Sequence, residues 1–225
     1  TVTGVDDSII DGTTTSTITI AVDDANSDDD FDGLDDQTLS VDTTDDDVAG
    51  FTIEETEGAT EVDESGSTDT FTIVLDAQPT NDVVVLATAS NDETEAIVSG
   101  SITFTSENWD TPQTVTVTGV DDDLVDGDQT YDITISIVDT ISDDDFDGVA
   151  DQSVSSTTLD DDAPGFTIEE TDAATEVDES GSTDTFTVVL DAQPTSDVVL
   201  TITSDDTGEA TVNNPLSFTP VNWDT

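Results

Sequence analysis

The stretch SDDDFDG occurs twice, at 27–33 and 142–148, and each copy places four aspartates in seven residues. Counted from the first aspartate, both copies read D-x-D-x-D-G-x-x-D: Asp28, Asp30, Asp32, Gly33 and Asp36, then Asp143, Asp145, Asp147, Gly148 and Asp151. Oxygens at every second residue, with a glycine for a sharp turn, are what a chain needs to wrap a hard cation. The chain offers no counter-charge of its own. It has 57 Asp and Glu and no Lys, Arg or His, for a formal charge of −57.

Carboxylates at positions 1, 3, 5 and 9, a backbone carbonyl at 7 (Leu34, Val149) and glycine at 6 match the first three-quarters of an EF-hand loop. The bidentate Glu of position 12 is missing, since Leu39 and Val154 stand there, so another group has to close the shell. The same residues also suit an Asp-Gly turn, and both readings stay open.

Such a charge with 32% apolar residues is ordinarily the signature of disorder. Ordered apolar patterning opposes that reading, and each bound divalent cation cancels two charges. The lack of Lys and Arg excludes nucleic acid and anionic membrane surfaces as partners. No Cys is present, so disulfides and thiolate metal sites are excluded. No apolar run has spanning length, so membrane insertion is not expected. Without His, Cys or Lys no nucleophile–base pair can be built, and no carboxylate pair stands out as a glycosidase couple; an enzyme is not expected. Trp109 and Trp223, both in NWDT, read as cover for a domain end in preference to a sugar-stacking platform.

The acidic motifs sit in repeats. TVTGVDD recurs at residues 1 and 116, FTIEET at 51 and 166, VDESGSTDTF at 62 and 177, and LDAQPT at 75 and 190, all offset by 115. A unit of about 115 residues has the size of one domain. Edges fall near DDD at 45–47 and 160–162. The expected organisation is therefore the C-terminal half of a unit (1–47), a complete unit (48–162) and the N-terminal half of the next (163–225), a chain cut mid-domain. The final NWDT leads, after about four missing residues, into the opening TVTGV. Residues 163–225 are expected to be completed by 1–47 of an adjacent copy, in a continuous chain or by strand complementation between subunits.

Within a unit the apolar residues alternate. Phe71, Ile73 and Leu75 face one way, as do Tyr131, Ile133, Ile135 and Ile137. Period two over short runs rich in Thr, Val and Ile predicts half-buried strands, near 51–56, 69–76, 82–89, 101–105, 114–119, 129–139 and 152–158. Seven short strands in about 115 residues point to an all-β, immunoglobulin-like sandwich.

VTVTGVDDDLVDGDQTYDITI (115–135), ESGSTDTFTVVL (179–190) and the terminal DDD resemble the Calx-beta family, in the form found as tandem repeats in large secreted or surface proteins. The resemblance spans the whole unit and implies a two-sheet sandwich with Ca²⁺ at one end. Carried over residue by residue, it implies ligands at Glu64, Asp92, Asp121, Asp122, Asp126, Asp160, Asp161 and Asp162. A composite site would combine Glu179 and Asp206 of one copy with Asp6, Asp7, Asp11, Asp45, Asp46 and Asp47 of the next. Asp126 departs from the family, where Glu is common. Physics agrees that a cation is needed. Two charges ~4 Å apart repel by about 4 kcal/mol at an effective dielectric of 20.

The expectation is thus a structural repeat of a long extracellular filament, stalk, adhesin or matrix fibre. Several Ca²⁺ per repeat would brace domains and junctions, and neighbouring copies would run head to tail. In low-calcium cytosol the chain would stay expanded, then fold outside. The alternative is a halophile-type acidic envelope or S-layer protein without specific Ca²⁺ sites. Against it, the acids cluster in loops and leave strand faces to Thr and Ser. A ligand-binding tip has little support, because neither unit carries an unusual insertion.

Overall fold

The computed structural model describes residues 1–90, 94–213 and 215–225. Its regular elements are β-strands and single 3-10 turns. The chain opens with an antiparallel pair, β1 (Thr14–Ile20) and β2 (Gln37–Thr43). Nine strands follow: β3 (Phe51–Glu55), β4 (Thr60–Asp63), β5 (Thr68–Leu75), β6 (Val83–Ala89), β7 (Ala96–Val98), β8 (Ser101–Phe104), β9 (Gln113–Gly119), β10 (Gln129–Ile137) and β11 (Gln152–Leu159). The last four are β12 (Phe166–Glu170), β13 (Phe186–Leu190), β14 (Val198–Leu200) and β15 (Leu216–Phe218).

Strands β3 to β11 build a two-sheet immunoglobulin-like sandwich. One sheet has the order β4-β11-β10-β6-β8 and the other β3-β5-β9-β7. The alternating residues face inward as the pattern requires. Phe71, Ile73, Leu75, Val115, Val117, Tyr131, Ile133 and Ile135 are buried between the sheets. Flanking strands form only two-stranded sheets, β1-β2, β12-β13 and β14-β15.

All seven expected strands are present within a residue or two of their anticipated bounds. Two more, β4 and β7, escape the alternation rule. TEVD carries a single aliphatic residue, and AIV is three residues long. Strand β4 matters most. The chain leaves the four-stranded sheet after β3, turns through Thr56–Gly58 with Glu57 and Gly58 at φ 57° and 79°, and joins the other sheet parallel to β11. The end of β4 passes directly over Gly119, where a Cβ would lie 1.9 Å from the Asp63 carbonyl oxygen. No residue with a side chain fits there.

The SDDDFDG motif forms a turn anchored in the core. Residues Asp144–Phe146 make one 3-10 turn with Asp143 at its N-cap, and Phe146 is fully buried. The Asp143 carboxylate is itself buried. It accepts hydrogen bonds from the Thr80 hydroxyl (2.8 Å) and from the N–H groups of Asn81 (2.6 Å) and Asp145 (3.2 Å). Burial pushes Asp143 upward, but these bonds outweigh it and hold the carboxyl below its ordinary value. The first copy forms the same turn, Asp29–Phe31, capped by Asp28. Trp109 packs partly buried against the core.

Successive units touch in a repeated way. The Gln78 N–H donates to the Ser8 carbonyl (2.7 Å), and 115 residues later the Gln193 N–H donates to the Asp123 carbonyl (2.7 Å). Each contact extends into a parallel bridge, Ile9 with Gln78 and Leu124 with Gln193.

Because Phe146 fills the core from a turn, Phe146→Ala is expected to cost about 3–5 kcal/mol of unfolding free energy. Asp144→Ala, on the exposed side of the same turn, should stay within about 0.5 kcal/mol. Chemical denaturation monitored by circular dichroism measures both.

Candidate metal centre

One end of the sandwich gathers acids from four segments. Glu64 follows β4 and continues its ladder, donating its N–H to the Leu159 carbonyl (3.1 Å). Glu95 precedes β7, and its carbonyl accepts from the Val120 N–H (2.9 Å) and the Thr158 hydroxyl (3.2 Å). Asp122 and Asp126 lie in the loop after β9. Asp160 and Asp162 follow β11.

Backbone amides set the frame. Asp160 accepts from the Gly127 N–H (2.6 Å) with one oxygen and from the Asp162 N–H (2.8 Å) with the other, which ties the β9–β10 loop to the end of β11. Asp122 accepts from the Leu124 N–H (2.7 Å). Oxygens of Glu64, Asp160 and Asp162 all lie within 4.8 Å of one another, the one such group of three acidic side chains among the described residues.

Electrostatics marks the same place. Glu64 is 1% exposed. Burial, then the charges of Asp122, Asp160, Asp126 and Glu95, push its carboxyl up to about 7. Burial, with Asp126 and Asp122, raises Glu95. Burial, with Asp123, Asp160, Asp161 and Asp122, raises Asp162. One oxygen each of Glu64, Glu95 and Asp162 is buried with no hydrogen-bond partner. A buried carboxylate oxygen without a donor is costly, and this chain has no cationic side chain to supply one. Glu64 and Asp162, which carry two of these oxygens and group with Asp160, fit a hard divalent cation. A Ca²⁺ ion holds oxygens at 2.3–2.6 Å, so ligands of one shell lie no more than about 5 Å apart.

The other candidates separate clearly. Asp121 and Asp161 are exposed at the rim. Asp92 lies outside the described residues. Glu95 was not anticipated from the sequence; nothing in SNDETEAIV distinguishes it from its acidic neighbours, and only the fold turns it inward. In residues 1–47 the frame recurs. Asp45 accepts from the N–H groups of Asp47 (2.9 Å), Gly12 (2.8 Å) and Asp11 (3.0 Å), which hold it below its usual range. Burial and the charges of Asp45, Asp46, Asp6 and Asp7 raise Asp47. Glu179 and Asp206 are exposed at the far end of the chain, away from that frame. In the EF-hand-like loops, Asp143 is spent on protein hydrogen bonds. The carboxylates of Asp28, Asp30, Asp32 and Asp36, and of Asp143, Asp145, Asp147 and Asp151, are not drawn together as a ligand group. The carbonyl-bearing residues Leu34 and Val149 close the two turns through N–H bonds to Phe31 and Phe146 (both 3.1 Å).

No protein-family model matches the chain, and no curated protein sequence does. Among solved structures it is similar to the apo-form Calx CBD1 domain, at 16% identity and TM-score 0.36, over 50% of this chain and 98% of that one. It is also similar to CBD12 from CALX1.2, at 17% identity and TM-score 0.35, over 74% and 70%. The E. coli chaperone DraB scores alike, at 10% identity and TM-score 0.36, over 53% and 59%. Likenesses this remote carry no functional weight, and the fold assignment rests on the sheet order itself.

The raised Glu64 has a definite sign. In chelator the folded protein keeps a proton on Glu64 that the unfolded chain releases, so stability falls as pH rises from about 4.5 to 7. The full effect is on the order of 3 kcal/mol. Glu64→Gln is expected to flatten this slope in urea denaturation series run in EDTA from pH 4.5 to 7.5.

Proposed function

We propose that residues 48–162 are a Ca²⁺-binding β-sandwich whose ion serves structure and not catalysis, within a long extracellular filament or stalk. The observation that carries the reading is the set of unpartnered, buried oxygens of Glu64, Glu95 and Asp162 in a chain without one basic side chain. Glu64, Asp160 and Asp162 would hold the ion, with Glu95, Asp122 and Asp126 around it. These hard oxygens, from several loops, suit the six to eight ligands of Ca²⁺ better than the strict octahedron of Mg²⁺. Bound there, a divalent cation supplies the positive charge that the folded cluster lacks, and its binding energy becomes folding energy.

The position of the cluster supports a bracing role. Asp122 caps the Leu124 N–H, and Leu124 pairs with Gln193 of the following unit. Asp162 stands at the start of the linker into β12. An ion held by Asp122 and Asp162 would fix both strands of the connection between units. An extracellular setting suits a site of this kind, since Ca²⁺ is abundant there. Among the described residues no helix is long and apolar enough to cross a membrane.

Calcium is expected to raise the thermal midpoint well above that in NaCl of equal ionic strength, and EDTA to reverse it. Glu64→Gln and Asp162→Asn should each weaken Ca²⁺ binding by at least about tenfold, or 1.4 kcal/mol, measured by calorimetric titration. An equal midpoint in Ca²⁺ and in matched NaCl would favour a generic halophile-type surface and sink this reading.

A further inference from the structure

A band of buried hydroxyls runs beneath the acidic end of the sandwich. Tyr131, Ser156 and Thr158 are 7%, 1% and 0% exposed. They sit on the paired strands β10 and β11, with Tyr131 opposite Ser156. The Ser156 hydroxyl lies 3.1 Å from the Tyr131 phenol oxygen. The Thr158 hydroxyl lies 3.2 Å from that same oxygen and 3.2 Å from the Glu95 carbonyl oxygen.

Chemistry fixes the direction of this chain. A hydroxyl has one proton, and a carbonyl only accepts. Thr158 gives its proton to Glu95, so Tyr131 gives its own to Thr158 and Ser156 gives its own to Tyr131. All the donors run one way and end on the main chain of one residue. The Glu95 carbonyl takes a second bond from the Val120 N–H (2.9 Å), so both its lone pairs are used. Replacing such partners by apolar groups of the same shape is ordinarily close to neutral, so core packing alone gives no reason for hydroxyls here.

The last acceptor shows what they serve. Glu95 precedes β7, a strand of three residues at the edge of its sheet. So short an edge holds its neighbour weakly. The hydroxyl chain anchors Glu95 to the long inner strands β10 and β11 instead. Val120 opens the loop that carries Asp122 and Asp126, and Thr158 precedes Asp160 along the chain. The Glu95 carbonyl therefore joins three of the four segments that bring acids to the cation site. One oxygen of the Glu95 carboxylate is buried without a hydrogen bond, and it lies in the field of Asp126, Asp122 and Glu64.

We propose that Tyr131 and Thr158 are positioning residues of the cation site. Through the Glu95 carbonyl they hold that residue so that its unserved oxygen completes the set offered by Glu64, Asp160 and Asp162. This rests on the calcium reading above and deepens it: Glu95 takes a direct part in binding, and the buried hydroxyls an indirect one.

A double-variant cycle on the full chain tests it, read as Ca²⁺ affinity by calorimetric titration of the sites that Glu64→Gln weakens. Glu95→Gln and Thr158→Val are each expected to weaken those sites about tenfold. Together they should weaken them no further than either alone, because both act through one carboxylate. Thr158→Ser keeps the hydroxyl and should bind as wild type does. Tyr131→Phe removes one oxygen at constant shape. It should show a smaller loss that vanishes in the Glu95→Gln background, and it replaces Thr158→Val if that variant fails to fold. A hydroxyl chain that serves only stability would lower the melting midpoint in EDTA and leave the affinity unmoved. That result, an unchanged affinity in Glu95→Gln, or losses that multiply in the double variant would each overturn the inference. If wild type and Glu64→Gln bind Ca²⁺ alike, the calcium reading falls and this inference with it. If Glu64→Gln alone binds more weakly, only this inference falls.

Discussion

Uncompensated negative charge is the constraint to which everything else in this chain answers. A protein with basic side chains can bury a carboxylate against Arg or Lys. Here every buried carboxylate must find an N–H or O–H, stay protonated, or recruit a cation from outside. The structure sorts the acids accordingly. Most stay in water. Asp143 is buried and fully served by Thr80, Asn81 and Asp145. Asp160 and Asp45 are served by amides of their own loops. Glu64 is buried, Glu95 and Asp162 are half-buried, and each has a buried oxygen that no hydrogen bond serves; Glu64 and Asp162 stand together with Asp160.

The sandwich geometry creates that convergence through one crossing. Strand β4 switches sheets because a left-handed turn at Glu57 and Gly58 redirects the chain, and Gly119 leaves room for its far end at Asp63. The switch seats Val62 in the core and carries Glu64 to the end of β11, beside Asp160 and Asp162. Core packing and acidic cluster are thus two consequences of the same strand placement. The loop after β9 then passes the arrangement outward, since Asp122 orients Leu124 and Leu124 meets the next unit.

Much of this was legible from residue type and period. Alternation in β5, β9 and β10 marks strands with one buried face, and the structure has them there. The rule fails for β4 and β7, where too few aliphatic residues exist to show a period and pairing partners decide the conformation. Of the acids at this end, Glu64, Asp122, Asp126, Asp160 and Asp162 were expected from the family resemblance, but Glu95 was not. Spacing also drew attention to SDDDFDG as a cation loop, with a turn as the competing reading. The backbone adopts the turn in both copies, capped by Asp28 and by Asp143, whether the phenylalanine is buried or exposed. A pattern of alternating aspartates cannot by itself distinguish oxygens aimed at an ion from oxygens aimed at amides.

The sequence alone determined the all-β character, the repeat of about 115 residues and the absence of any internal counter-charge. These depend only on composition and on periodicities local to the chain. Tertiary structure decided which carboxylates lose their water. Glu64 and Glu179 occupy the same VDESGS motif, yet one is buried in an acidic cluster and the other is exposed. Burial is a property of the neighbours that a fold assembles around a residue, and those neighbours come from strands far away in sequence.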